Sequence, residues 1–287
     1  MADSVEMQDI RTLDIDKTVK GFALTEYVFK SQLCTQSTTN GDSIRWYQET
    51  AADLTATAPS VVANISPLSI FPTLEVTWTR NTSYPKKYAA EGFISIEDIK
   101  TTDIDVVART LLRLTRAVVK QVDTDIWNVL TENQSAVNIN AVTSTAAWNA
   151  TSGQDPIEDI LEALQGMETN NYDSSQAVIV VSPTDYKSLM TWLISTKGVN
   201  FTGFTSNLVQ NGQMSGILGH RIIVSNNVTA DYAAVIIPGA ATWKSLTDTT
   251  SAVIEEKGIG NKYRVWEHGI AILTDPKKVS LISNTQL

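Results

Sequence analysis

The sequence is poor in the residues that form disulfides and metal centres. Its 287 residues include one cysteine, Cys34, and two histidines, His220 and His268. One cysteine excludes an internal disulfide, and zinc or iron–sulfur sites of the Cys-cluster type need several thiolates. We therefore expect no metal and no cofactor, and we interpret both histidines as structural and Cys34 as an inert thiol.

The sequence also contains fewer basic than acidic residues. The chain has 22 Lys and Arg residues against 31 Asp and Glu residues, which gives a formal net charge of -9. No global positive field draws it to nucleic acid or to an anionic membrane, so any such contact has to be local. Its apolar runs are far shorter than the roughly 20 residues that cross a bilayer, and residues 1–30 lack the apolar segment of a signal peptide. We expect a folded protein that is neither secreted nor inserted in a membrane.

No group of residues resembles a catalytic constellation. Gly258-Ile259-Gly260 lacks the third glycine and the following helix of a nucleotide-binding loop, which favours a hairpin turn. Acid pairs such as Asp123 and Asp125 are expected by chance in an acidic chain, and we predict that they are solvated. The sequence therefore predicts no enzyme and no catalytic residues.

The first hundred residues predict ordered pieces that have no core of their own. Apolar positions are sparse before residue 34, which is typical of an arm. Two runs rich in β-branched and aromatic residues, 43–48 and 74–79, predict a long β-hairpin. Because an isolated hairpin is marginal in water, we expect it to lie on the body of this chain or on a neighbouring chain.

A long amphipathic helix is predicted over residues 103–130. Thr102 and Asp105 have the spacing of a capping box, and apolar residues recur at steps of three and four from Ile104 to Val129. Cations line the opposite face: Arg109, Arg113, Arg116 and Lys120. This basic stripe is either a solvated face or a contact with a polyanion or with acidic patches on a neighbouring subunit.

The second half of the chain alternates between predicted strands and helices. Asp155 and Ser182 each precede a proline and then an acidic residue, which predicts helices through about 168 and 194. Apolar strands are predicted over 177–181, 221–225 and 233–238, so a compact α/β unit spans roughly 140–245. The last forty residues predict an antiparallel sheet that a helix has to cover.

This order of parts resembles the major capsid proteins of tailed bacteriophages with the Hong Kong 97-like fold, an α+β fold. Three segments carry the resemblance: 103–130 as a spine helix, 215–225 as the entry into an axial strand, and 264–276 as closing strands. The resemblance implies four regions: an N-terminal arm over 1–34, an extended β-hairpin loop over 35–93, a peripheral domain over 94–135 and 246–287, and an axial domain over 136–245.

The resemblance also implies a function, a structural protein whose hexamers and pentamers form an icosahedral shell around packaged double-stranded DNA. Its implied partners are identical subunits, a portal, a separate scaffolding protein or none, a decoration protein, and DNA held by weak non-specific contact. The protein would be found in the virion after assembly in the host cytoplasm. Two alternatives remain, an encapsulin-like nanocompartment shell protein and a stand-alone α/β binding module.

The same resemblance gives the predicted sites a role. The basic stripe would lie on the shell interior or between subunits. The extended loop would contact neighbouring subunits through four residues: Trp46, Trp78, Lys86 and Lys87.

Overall fold

The computed structural model describes residues 15–23, 26–48, 64–70, 79–101, 105–197 and 216–287. These residues belong to two compact units. Unit 1 combines Met1–Ile44, Ser83–Trp127 and Thr242–Ile272, and unit 2 combines Arg45–Thr82, Asn128–Ala241 and Leu273–Leu287.

The described ranges contain the following helices and strands. In chain order the helices are α1 (15–23), α2 (Phe29–Gln32), α3 (Ile96–Thr101), α4 (Val106–Leu130), α5 (Pro156–Thr169) and α6 (Pro183–Trp192). The strands are β1 (Cys34–Thr38), β2 (Ile44–Gln48), β3 (Thr79–Ser83), β4 (Lys86–Ser95), β5 (Asn140–Thr143), β6 (Val178–Val181), β7 (Gly216–Ile217), β8 (His220–Val224), β9 (Tyr232–Ile236), β10 (Ala241–Glu256), β11 (Gly260–Leu273) and β12 (Val279–Ser283).

Unit 1 is a four-stranded sheet covered on one face by the long helix α4. The strand order is β1-β10-β11-β4, and β11 runs antiparallel to β4. The backbone of β4 approaches the helix closely, since a Cβ added at Gly92 would lie 3.1 Å from Thr110 and 3.3 Å from Leu114. Val118 and Val122, on the same apolar seam, are 2% and 0% exposed. The prediction that this seam covers the sheet is confirmed.

The start of α4 differs from the predicted capping box. The helix begins at Val106, and the side chain of Asp105 accepts a hydrogen bond from the amide of Ala108 at 2.9 Å. Asp105 is therefore the N-cap itself, a position that aspartate favours because its carboxylate satisfies a free amide of the first turn. Thr102 and Ile104 lie outside the described residues.

The arm packs into unit 1, which differs from the expectation of a segment without a core. Val19, Phe29 and Leu33 are at most 1% exposed, and the ring of Phe29 stacks on Trp127 at 5.9 Å. Strand β1 extends the four-stranded sheet beside β10. Sparse apolar residues are sufficient here because the rest of unit 1 supplies the surface that they cover.

The predicted extended loop is only partly a separate hairpin. Strands β2 and β3 pair in a two-stranded sheet, whereas most of the predicted second strand, 74–79, lies outside the described residues. Strand β4 pairs along its whole length with β11 in unit 1. Its alternating burial, with Tyr88 and Ile94 buried, is that of a strand with one covered face.

Unit 2 is a six-stranded sheet with the order β5-β12-β9-β6-β8-β7. Helices α5 and α6 begin as predicted, because the side chain of Asp155 accepts from the amide of Glu158 at 3.3 Å and that of Ser182 from Asp185 at 3.0 Å. Ile160 of α5, Ile179 of β6 and the residues around them form its core.

The last strand does not join the sheet that was expected. β12 pairs antiparallel with β9 and parallel with β5, so Leu273–Leu287 belong to unit 2 and not with the long helix. The first four residues of β12 are all buried, a pattern that suits an interior strand covered on both faces. The sequence reading also missed β5, its parallel neighbour.

Candidate interaction surfaces

The basic stripe lies along the exposed face of α4. All four of its side chains are exposed: Arg109, Arg113, Arg116 and Lys120. A rise of 1.5 Å and a turn of 100° per residue give a line about 16 Å long whose ends are only about 20° out of register. Arg116 pairs with Glu26, which lies between α1 and α2, at 2.8 Å. The other three cations form no ion pair within the described part of the chain.

Few carboxylates accompany these cations. The sequence from Val106 to Val122 contains no acidic residue. Asp105 caps the helix, and the next acid, Asp123, is 1% exposed and points into unit 1. The stripe is therefore locally positive on a chain whose net charge is -9.

A cluster of buried polar side chains beneath α4 connects the arm to the sheet through hydrogen bonds and an ion pair. The carboxylate of Glu267 on β11 is fully buried and accepts hydrogen bonds from the ammonium of Lys30 and the hydroxyl of Tyr27. Thr249 on β10 donates to the same carboxylate at 3.1 Å. Burial and the neighbouring charge of Glu267 raise the pKa of Tyr27 well above its ordinary value of 10.0, so the phenol remains a donor.

Asp123 is the second anchor of the arm. One carboxylate oxygen accepts from the amides of Val28 at 2.9 Å and Phe29 at 3.3 Å, and the other accepts from the amide of Lys30 at 3.2 Å. Burial raises the pKa of Asp123 above its ordinary value of 3.8, and the three amide bonds oppose that shift. The interpretation of Asp123 as a solvated acid is therefore wrong.

The neighbouring acid Asp125 is also engaged within unit 1. It accepts from Lys86 at 2.8 Å and from the hydroxyl of Tyr88 at 2.5 Å. Lys86 is the first residue of β4, and its bond to Asp125 lies within unit 1. Lys87, the next residue, has its ammonium 5.8 Å from the centre of the Trp266 ring.

The face of the sheet opposite α4 is open. Lys262 lies opposite Phe93, Arg264 opposite Glu91 and Trp266 opposite Ala89 in the β11–β4 register. Phe93 is 47% exposed, and a groove of about 280 Å³ runs beside Trp266. This face carries Phe93, Trp266 and Arg264, and aromatic residues and arginine are enriched in surfaces that contact another protein.

The two-stranded sheet also exposes aromatic side chains. Tyr47 is 57% exposed and Trp46 is half-buried, and Tyr84, just after β3, is 67% exposed. Trp78, the other predicted contact of this region, lies outside the described residues.

The described residues hold no group of three or more His, Cys, Asp and Glu side chains that could bind a metal ion. None of the helices in the described ranges is both long and apolar enough to span a bilayer.

A family model described as "Phage capsid protein" matches residues 80–280. The chain belongs to this phage capsid protein family. The match includes α4 with its basic stripe, three of the four strands of the unit 1 sheet and nearly all of the six-stranded sheet. No curated protein matches the sequence.

Solved structures, one of them a phage capsid, share the fold of this capsid protein. The capsid of the cyanophage P-SCSP1u aligns with a TM-score of 0.68 and 16% identity over 90% of this chain and 88% of that one. A structure from Mycobacterium phage Che8 gives 0.61 and 17% over 86% of each chain, and a virus-like particle from Pyrococcus furiosus gives 0.63 and 12% over 95% and 99%. The expected α+β, Hong Kong 97-like fold is confirmed.

Proposed function

We propose that this chain is the major capsid protein of a tailed phage and that its hexamers and pentamers form an icosahedral shell around double-stranded DNA. The observation that carries the proposal is the match of residues 80–280 to the phage capsid family together with a capsid fold over nearly the whole chain. A protein of this class is structural and belongs to the virion.

Some surfaces of the single chain are left exposed, and these surfaces support the proposal that copies of the chain contact each other. A two-stranded sheet gains too little from its own cross-strand pairs to be stable in water, so β2 and β3 need another surface to pack on. Tyr47 and Tyr84 offer large apolar area for such packing. Trp46 and Trp78 are the proposed inter-subunit contacts of this region, and Lys86 and Lys87 are the proposed contacts on β4.

The open face of the unit 1 sheet is the surface we propose for those contacts. Phe93 and the groove beside Trp266 lie on this face. Assembly takes place in the host cytoplasm in this proposal, with a portal and, where the phage encodes them, a separate scaffolding protein and a decoration protein.

Electron microscopy of the purified full chain, with and without scaffolding protein, tests the proposal. We expect closed shells of uniform size. A monomer or a small oligomer under every condition would contradict it. Particles that enclose an enzyme in place of DNA would indicate the nanocompartment function.

A loop replacement tests which part of the chain makes the contacts. Replacing 45–82 by a short Gly-Ser linker should leave a folded subunit that forms no shells, because unit 1 retains β1 and β4 on either side of the replaced segment. Removing 40–88 should instead unfold unit 1, because it deletes Tyr88, which is 7% exposed and binds Asp125. A cooperative urea transition for the shorter replacement, together with its loss of shells, is the expected result.

A further inference from the structure

We propose that the basic stripe of α4 is a docking surface for the backbone phosphates of nucleic acid and that Glu26 masks one of its four cations. The inference rests on the proposed function, since packaged DNA is the polyanion that a capsid subunit meets. It assigns that contact to four side chains on one helix and explains why it is weak.

The spacing of the stripe suits a phosphate backbone. Successive cations are four, three and four residues apart, which gives steps of about 6, 4.5 and 6 Å along the helix axis. A strand of B-DNA presents one phosphate per about 3.4 Å of its axis, so a line of about 16 Å runs past about five phosphates of one strand, more than the number of cations in the stripe. Three of the four cations are arginines, which bind phosphate oxygens in a bidentate manner.

An acidic helix of a second copy fits the stripe less well. Helix α5 presents an exposed line with the same spacing: Glu158, Glu162, Gln165 and Thr169. That line supplies two carboxylates for the three cations that Glu26 leaves unpaired, so a contact between α4 and α5 of different copies would leave one of those cations without a partner. A phosphate backbone leaves no cation unpaired, which favours nucleic acid.

Glu26 limits the strength of the contact. Its carboxylate lies 2.8 Å from the guanidinium of Arg116, and the two side chains are 31% and 57% exposed. Arg109, Arg113 and Lys120 remain available to phosphates. Each phosphate contact contributes about -0.9 to the slope of log K against log salt. Three contacts therefore lose about 40-fold in affinity between 50 and 200 mM salt, whereas four contacts would lose about 150-fold.

Fluorescence anisotropy of a labelled DNA duplex, titrated with the full unassembled chain over a series of salt concentrations, tests the inference. The variant Arg109→Gln/Arg113→Gln/Lys120→Gln should lower the slope of log K against log salt by about 2.7. The matched control Lys100→Gln/Lys187→Gln/Lys257→Gln removes the same charge from exposed sites elsewhere and should keep the slope. An equal loss in both triple variants would overturn the inference, because it would report net charge alone.

Glu26→Gln supplies a test in the opposite direction. Freeing Arg116 should tighten DNA binding and steepen the slope by about 0.9, a gain that partial unfolding does not produce. Unchanged or weaker binding would contradict the masking role.

Electron microscopy of the same variants separates this inference from the proposed function. If the stripe variant forms shells but no longer binds DNA, the result supports both the inference and the proposed function. If the stripe variant loses shells while its DNA binding is intact, the stripe is a protein contact and the inference is wrong. If the unmodified chain forms no shells, the proposed function fails whatever the DNA titration shows.

Discussion

Breaking the buried pair between Lys30 and Glu267 from one side should strongly destabilise unit 1. The side chain of Lys30 is 8% exposed and that of Glu267 is 0% exposed. Lys30→Met removes the ammonium and leaves the carboxylate buried without a counter-ion. Breaking a buried pair in this way costs about 3–5 kcal/mol, a large share of the roughly 5–15 kcal/mol that stabilises a typical folded protein.

An exposed pair on the same sheet provides the control. Arg264 and Glu91 are 50% and 42% exposed, so Arg264→Met should lower the free energy of unfolding by only about 0–1 kcal/mol. The double variant Lys30→Met/Glu267→Met should be markedly more stable than Lys30→Met alone. The methionines fill the vacated volume, and the hydroxyls of Tyr27 and Thr249, 3.2 Å apart, can bond to each other.

Urea unfolding of the unassembled subunit, followed by tryptophan fluorescence, measures these differences. The Trp243 ring lies 5.3 Å from the ammonium of Lys30 and reports on the cluster directly. If Lys30→Met costs no more than Arg264→Met, or if the double variant is as unstable as the sum of its two single variants, the buried pair does not hold the arm in place.

The remaining predictions concern α4 and the arm. Val118→Asp should prevent folding because a buried unpaired carboxylate costs several kcal/mol, whereas Arg113→Gln/Arg116→Gln should change the free energy of unfolding, measured in urea, by no more than about 1 kcal/mol. Burial raises the pKa of Cys34 to about 12, so a thiol reagent at pH 8 should label the folded protein about 10³-fold more slowly than urea-unfolded protein. The raised pKa of Asp123 makes the folded state hold a proton that the unfolded chain releases. Its contribution to stability therefore falls as pH rises above 3.8, and Asp123→Asn should remove that slope from urea unfolding.

Local sequence patterns predicted the elements whose signals are local. The seam of α4 repeats over seven turns, and Asp155 and Ser182 have side chains that cap the helices they precede. Both signals depend on residues within a few positions of each other, so a single sequence is sufficient to detect them.

The buried polar cluster of the arm could not be predicted from local sequence patterns, because its residues are far apart in the sequence. Lys30 and Glu267 are 237 positions apart, and Asp123 lies 93 positions beyond Lys30. Nothing near Asp123 distinguishes it from the solvent-facing acids of an acidic chain. The one usable signal was the inward register of Glu267, which alternates with Trp266 and His268 and shares its face with buried Val265.

The sheet to which β12 belongs was not predicted for a related reason. Its apolar run fits an interior strand of either sheet, and periodicity does not state which partner it has. Pairing with β9 and β5 settles the question in favour of unit 2. A continuous apolar run, in contrast to the alternation along β4, was a hint that both of its faces are covered.

The two faces of α4 connect the position of the arm with the charge of the stripe. Asp123 on the buried face binds the amides of residues 28–30, and Arg116 on the exposed face binds Glu26. Moving the arm away would unmask Arg116 and add one phosphate contact, worth about 1 kcal/mol at 0.1 M salt. The same movement would break the buried pair of Lys30 at a cost of about 3–5 kcal/mol. If the stripe binds DNA as proposed, we therefore expect that DNA alone does not displace the arm and that Glu26 weakens the contact permanently.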